Sequence, residues 1–171
     1  MKNYIIVAPF SNDFLKDWPS YHYAELIELC YKEFNLDVKI IGTLNQRAHA
    51  NELVRCLPGD RVANLCGAIK WQDVERLILE AALVIGNNSG IPHYSSKLGI
   101  PTICIFGGMH SEAEWMPIGK KVYLIAKHVV CSPCSSFDCP YAKRCLTEIS
   151  PKVVFEIVCK ALEMPLENLN E

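Results

Sequence analysis

No stretch of this 171-residue chain reaches the roughly 18 consecutive apolar residues that a membrane-spanning helix needs, although half of its residues are hydrophobic. The first apolar run, Tyr4-Ile5-Ile6-Val7-Ala8-Pro9, is too short for a signal h-region and is broken at once by polar residues. A cytoplasmic location without a transmembrane segment is therefore expected. Clustered positive charge is also missing: 17 lysines and arginines against 19 acidic residues leave a net charge of −2, with the basic ones scattered. Proteins that bind a duplex show a basic face, so nucleic acid is not an expected partner. Internal repeats, low-complexity tracts and linker-like segments are absent too. Residues 1–171 read as one domain, long enough to bury a core without staples. No Ser-His-Asp order or Cys-His pairing stands out, which argues against hydrolysis through a covalent nucleophile.

What is present is an alternation of short apolar runs with amphipathic stretches. Tyr4 to Ala8 reads as a strand, and Ser20 as the N-cap of a helix whose apolar positions Tyr23, Leu26, Ile27, Cys30 and Tyr31 follow helical spacing. A strand from Val38 to Ile41, a helix near Ala48 to Leu57, a short strand near Val62 and a helix marked by Trp71, Val74, Leu77, Ile78 and Ala81 follow in order. Ala82 to Ile85 and Thr102 to Phe106 lack polar alternation, as strands buried on both faces do. Val122 to Ile125 is the last predicted strand, and Ser150-Pro151 opens a closing helix. This order predicts an α/β fold, a Rossmann-like parallel sheet with helices on both faces. Ligands of such sheets bind at the carboxyl ends of the strands. Polar turns fall at four of those ends: Pro9 to Lys16, Gly42 to Gln46, Gly86 to Gly90, and Phe106 to Gly108.

The third of these turns is the most informative. Gly86-Asn87-Asn88-Ser89-Gly90 joins an apolar strand to a short helix, and such a junction offers open backbone N–H groups and a positive helix end to an anion. It predicts a phosphate seat built on Asn88, Ser89 and Gly90. His93, one turn into the helix, can hydrogen-bond a phosphate as a neutral imidazole or pair with it as an imidazolium, and its plainer role is packing against the sheet.

Nine cysteines are many for a cytoplasmic protein of this length. Cys30, Cys56, Cys66, Cys104 and Cys159 lie in apolar patterns and are expected as core fillers. Cys131, Cys134, Cys139 and Cys145 instead form a CxxC, x4, C, x5, C cluster within a loop at 131–145. That spacing suits a tetrahedral Zn²⁺ or iron knuckle of structural type, with His128 as a substitute ligand; unpaired thiols are the alternative.

Asn88-Ser89-Gly90-Ile91-Pro92-His93, then Gly99-Ile100-Pro101-Thr102 and Phe106-Gly107, resemble the nucleotide-sugar motif of the heptosyltransferases, glycosyltransferase family 9. Lys16-Asp17-Trp18-Pro19, Asn64-Leu65-Cys66-Gly67 and Trp115-Met116-Pro117 fall in that family's order. The resemblance covers the C-terminal, donor-binding half of a two-domain GT-B transferase. It implies an ADP-heptose-like donor, transfer to a glycan such as lipopolysaccharide core, Lys16 at the donor diphosphate, and Ser11 as a small hydroxyl group beside the phosphates. It also implies that an acceptor half, which carries the base, comes from a separate N-terminal GT-B subunit, so the isolated chain transfers little or no sugar. Two departures bear on this. Asn88 stands where many relatives have an aspartate, and Thr43-Leu44-Asn45-Gln46 stands where relatives place a glutamate toward the ribose. A non-catalytic nucleotide-binding module, or a metal protein on a Rossmann-like scaffold, are the alternatives. Apolar surface near Trp18 and Trp115 is expected under a partner or a second copy.

Overall fold

The computed structural model describes residues 3–34, 36–57, 59–134 and 138–163. Six strands, β1 (Tyr4–Ala8), β2 (Asp37–Ile40), β3 (Val62–Asn64), β4 (Leu83–Asn87), β5 (Thr102–Phe106) and β6 (Val122–Ala126), form one sheet in the order β3-β2-β1-β4-β5-β6. Every neighbouring pair is parallel. The order reverses between β1 and β4, where Ile5 registers with Leu83 and Ala8 with Gly86. At such a switch point the loops leaving the two strands diverge and open a crevice.

The pleat of β1 sorts its side chains into two cores. Ile5 and Val7 face a layer made by α1 (Ser20–Glu33), α2 (Arg47–Arg55) and α7 (Pro151–Ala161), through Leu26, Ile27, Leu53, Val154 and Val158. Tyr4, Ile6 and Ala8 face α3 (Trp71–Glu80), through Val74 and Ile78, and partly buried Ile91 and Tyr94 of α4 (Gly90–Lys97). With helices on both sides, β4 and β5 are buried along their whole length, polar Asn87 and Thr102 included. Two short helices, α5 (Glu112–Trp115) and α6 (Arg144–Thr147), lie before and after β6 in the chain. Among the described residues no helix is long and apolar enough to cross a membrane.

Four expectations need correcting. Ser20 is the first residue of α1 and not its cap; Pro19 holds the cap position without a side-chain bond. Gly86 and Asn87 belong to β4 and not to the turn. A Cβ on Gly86 would lie 2.8 Å from the Ala8 carbonyl oxygen and 2.9 Å from Pro92 Cγ, so the absence of a side chain lets β1, β4 and α4 close together there. Trp18 is no part of an exposed patch: it is 1% exposed, meets Tyr23 edge-on at 4.9 Å, and its indole N–H donates to the Ile149 carbonyl at 3.1 Å. Cys56 ends α2 on the surface, while Cys30, Cys66, Cys104 and Cys159 are buried as expected. Burial pushes the Cys104 thiol up to about 12 and Cys66 to about 11, which keeps both protonated and inert.

Candidate functional site

A cleft of about 590 Å³ opens at the carboxyl ends of β1 to β4. Its floor comes from the turns after β1 (Ser11, Asn12, Lys16), β2 (Gly42, Thr43), β3 (Leu65, Gly67) and β4 (Asn88, Ser89, Gly90). Leu44, Ile69, Trp71, Val74, Leu77 and Ile91 give it an apolar wall. Leu44 and Trp71 are 64% and 71% exposed there, so a planar apolar ligand face would cover surface now open to water. Among the described residues that line the cleft, Lys16 carries the only charge.

The turn after β3 shapes the wall. Gly67 has φ +67°, and a Cβ would sit 2.7 Å from Leu44 Cα and 2.8 Å from its Cδ1. Gly67→Ala combines a left-handed strain with a backbone collision, so it should cost about 2 kcal/mol of stability. Urea unfolding checks this; a midpoint unchanged from the parent protein would contradict it.

Lys16 is the last residue of a 3₁₀ turn, Phe14–Lys16, whose cap Asp13 accepts the Leu15 N–H at 3.0 Å. The turn is held from behind by Asp17 and Asn87. Asp17 Oδ1 accepts from the Ser11 N–H at 2.8 Å and from Asn87 Nδ2 at 3.1 Å. Burial raises the Asp17 carboxyl above its ordinary range, against the pull of those bonds and of nearby Lys143. Asn87 is fully buried and uses its whole amide: Oδ1 accepts from the Trp18 N–H at 3.1 Å and the Tyr23 hydroxyl at 2.8 Å, while Nδ2 also donates to the Pro9 carbonyl at 2.6 Å. One amide thus ties the loop after β1 to the turn after β4.

Of the predicted residues, Ser11, Lys16, Asn88, Ser89 and Gly90 line the cleft together. The Ser11 hydroxyl is already engaged, donating to the Asp13 carbonyl at 2.6 Å. His93 stands behind the turn, its Nε2 2.8 Å from Asn88 Oδ1. Burial lowers the imidazole pKa, Lys97 lowers it further, and a hydrogen bond to the Trp115 backbone pulls the other way. The ring braces Asn88 from behind, with burial disfavouring its charged form. Gln46 was not singled out, yet it bridges two turns: Oε1 accepts from the Thr43 N–H at 2.9 Å and Nε2 donates to the Ser11 carbonyl at 3.2 Å.

The fourth polar turn, Phe106 to Gly108, faces a separate cavity of about 320 Å³ shared with His110, Glu112, His128 and Ser132. His128 is largely exposed and lies 3.3 Å from Glu112. Of the cysteine loop, residues 135–137 lie outside the described residues. Cys131, Cys134 and Cys139 all act on the Cys145 thiol, which is raised first by burial and then by them. Among the described residues, however, no three His, Cys, Asp or Glu side chains form a group that could hold a metal ion. The Zn²⁺ or iron knuckle expected from the spacing thus finds no support among the described residues.

Residues 1–144 match the family model of glycosyltransferase family 9 (heptosyltransferase). The chain is 30% identical over 95 residues to lipopolysaccharide heptosyltransferase 2 of Salmonella typhimurium, covering 54% of this chain and 27% of that protein. Its fold matches the structure of Escherichia coli ADP-heptose lipopolysaccharide heptosyltransferase II with a TM-score of 0.82 at 23% identity, over 95% of this chain and 47% of that one. The E. coli heptosyltransferase WaaC with ADP matches with a TM-score of 0.74 at 19% identity, over 93% and 44%. The chain thus spans about half the length of the solved structures it matches.

Proposed function

The chain belongs to glycosyltransferase family 9, and from that premise we propose that its cleft binds the nucleoside diphosphate of an ADP-heptose-like donor. In this reading residues 1–171 are the donor-binding half of a transferase that moves the sugar onto a glycan such as lipopolysaccharide core. The acceptor-binding half, with the base that takes the acceptor proton, lies outside these residues.

The observation that carries the reading is the meeting of Lys16, alone in its charge among the described lining residues, with the Ser89-Gly90 end of α4 at the sheet's switch point. A nucleoside fits the apolar wall at Leu44 and Trp71, and its diphosphate then reaches the helix end, where amides and dipole favour an anion. As the glycosidic bond breaks, negative charge grows on the leaving diphosphate, and Lys16 neutralises it. Asn88 supplies hydrogen bonds without negative charge, which suits a phosphate and favours a second reading, a nucleotide-binding module that performs no transfer.

A thermal-shift panel of ADP, GDP, UDP, CDP and ADP-heptose tests the donor site. At a hundred times its dissociation constant a ligand stabilises the fold by about 2.7 kcal/mol, raising Tm by roughly 5–10 °C for a domain of this size. Adenine nucleotides should give that shift and the others less. No response to any of them would overturn the reading.

A further inference from the structure

The loop after β1, which presents Lys16 to the cleft, is also held from the far end of the chain. Lys143 Nζ donates to the Phe14 carbonyl at 2.9 Å and to the Asp17 carbonyl at 3.0 Å, the residues on either side of the Leu15-Lys16 pair. Its ammonium also lies 5.8 Å from the centre of the Phe14 ring. The same Phe14 carbonyl accepts the Asp17 N–H at 3.2 Å, and the Lys16 N–H donates to Asp13 at 2.9 Å, so Lys143 ties the backbone of the turn from one side while Asp17 and Asn87 hold it from behind.

The backbone that carries Lys143 is fixed independently. Its carbonyl accepts from the Leu146 and Thr147 N–H groups at 2.7 and 2.8 Å. Leu146 is fully buried against Gly107, at the end of β5. On the other side the Lys143 N–H donates to Cys139 Sγ at 3.3 Å. Ala142 and Lys143 both have positive φ, +50° and +54°, a region that residues with side chains rarely occupy unless their surroundings hold them there. A lysine anchored in this way is a poor candidate for a free surface charge, and its reach across 126 positions of sequence ends on the one loop that carries the cleft's cation.

We propose that Lys143 is a positioning residue: from the cysteine-rich loop it straps the Phe14–Asp17 segment and so sets where Lys16 meets the donor diphosphate. The inference rests on the donor reading for its effect on affinity, while the strap can be measured without any nucleotide. It also gives the cysteine loop a task at the cleft that does not depend on a metal.

The test pairs hydrogen exchange with ADP titration on the full chain. Lys143→Met should speed amide exchange across Phe14–Asp17 while leaving β4 and β5 protected, because only local closure is lost. ADP affinity should fall by roughly tenfold, the size of one lost charge-assisted hydrogen bond acting through the loop. Lys143→Arg, which keeps a cation of similar reach, should restore slow exchange and most of the affinity. In a Lys16→Met background the Lys143→Met change should cost no further affinity, a non-additivity that a general loss of stability would not produce. If Lys143→Met does not fold, Lys143→Gln removes the charge with a shorter polar end. Unchanged exchange in the variant overturns the inference. Wild-type protein that ignores ADP overturns the donor reading instead, and faster exchange in the variant would then still support the strap.

Discussion

Lys16→Met should lower the affinity for ADP by roughly 10- to 100-fold, the range given by losing one hydrogen bond between a cation and a phosphate. The expectation is large because no second cation shares the task among the described lining residues. It is also separable from folding. The Lys16 side chain is part of neither hydrophobic core, and the backbone bond from its N–H to Asp13 survives the change. The unliganded variant should therefore melt within about a degree of the parent, since surface substitutions of this type cost little. Isothermal titration at two ionic strengths adds a second check. Parent affinity should weaken as salt rises, and the variant's should weaken less, because screening acts on the charge that has been removed. A variant that binds ADP as the parent does would move the diphosphate away from Lys16 and leave the helix end alone to hold it.

The strands, the helices on both faces and the turns that meet at the cleft were legible because each is written in local periodicity. β1 and β5 fall at the limits read from sequence, and the apolar runs of β4 and β5 mark strands covered on both sides. Gly86 and Asn87 were misread as turn because glycine and asparagine are the commonest turn residues. Their reasons are tertiary: Gly86 leaves room for Ala8 and Pro92, and Asn87 answers four groups scattered from Pro9 to Tyr23. Trp18 reads as part of an interface because the donor half of a GT-B enzyme faces its other domain across a cleft, whereas here the indole is buried, edge-on to Tyr23 and bonded to Ile149.

Lys143 and Asp17 were illegible for another reason. Nothing near Lys143 in sequence refers to the first loop, and only the closing of the chain brings its ammonium to Phe14 and Asp17. The cysteine spacing, by contrast, is a clear local signal: Cys131, Cys134 and Cys139 all lie near enough to act on Cys145, while no group that could hold a metal ion forms among the described residues.

The largest effect on stability is expected at Asn87. Replacement by leucine keeps the branched shape of the side chain, with somewhat bulkier ends, and removes every polar contact the amide makes. The Trp18 N–H and the Tyr23 hydroxyl lose their acceptor, and the Pro9 carbonyl and Asp17 lose a donor, all in buried or half-buried surroundings. At about 1–3 kcal/mol for each buried group left unpaired, the sum reaches roughly 5 kcal/mol after partial relaxation. That is a large share of the 5–15 kcal/mol that typically holds a domain together, so Asn87→Leu should unfold at a much lower urea concentration or fail to accumulate folded. Asn87→Asp separates polarity from hydrogen bonding. An ionised carboxylate keeps both acceptor contacts but cannot donate to Pro9, and it places a second negative charge beside Asp17, so it should be destabilising and partly recover as falling pH protonates it. Because the amide links the loop bearing Lys16 to the turn bearing Asn88, any folded fraction of Asn87→Leu should also bind ADP more weakly than the parent. Urea denaturation followed by tryptophan fluorescence reads the first effect, and titration of the folded fraction reads the second. A midpoint within experimental error of the parent's would mean that the loop after β1 holds its position without the buried amide.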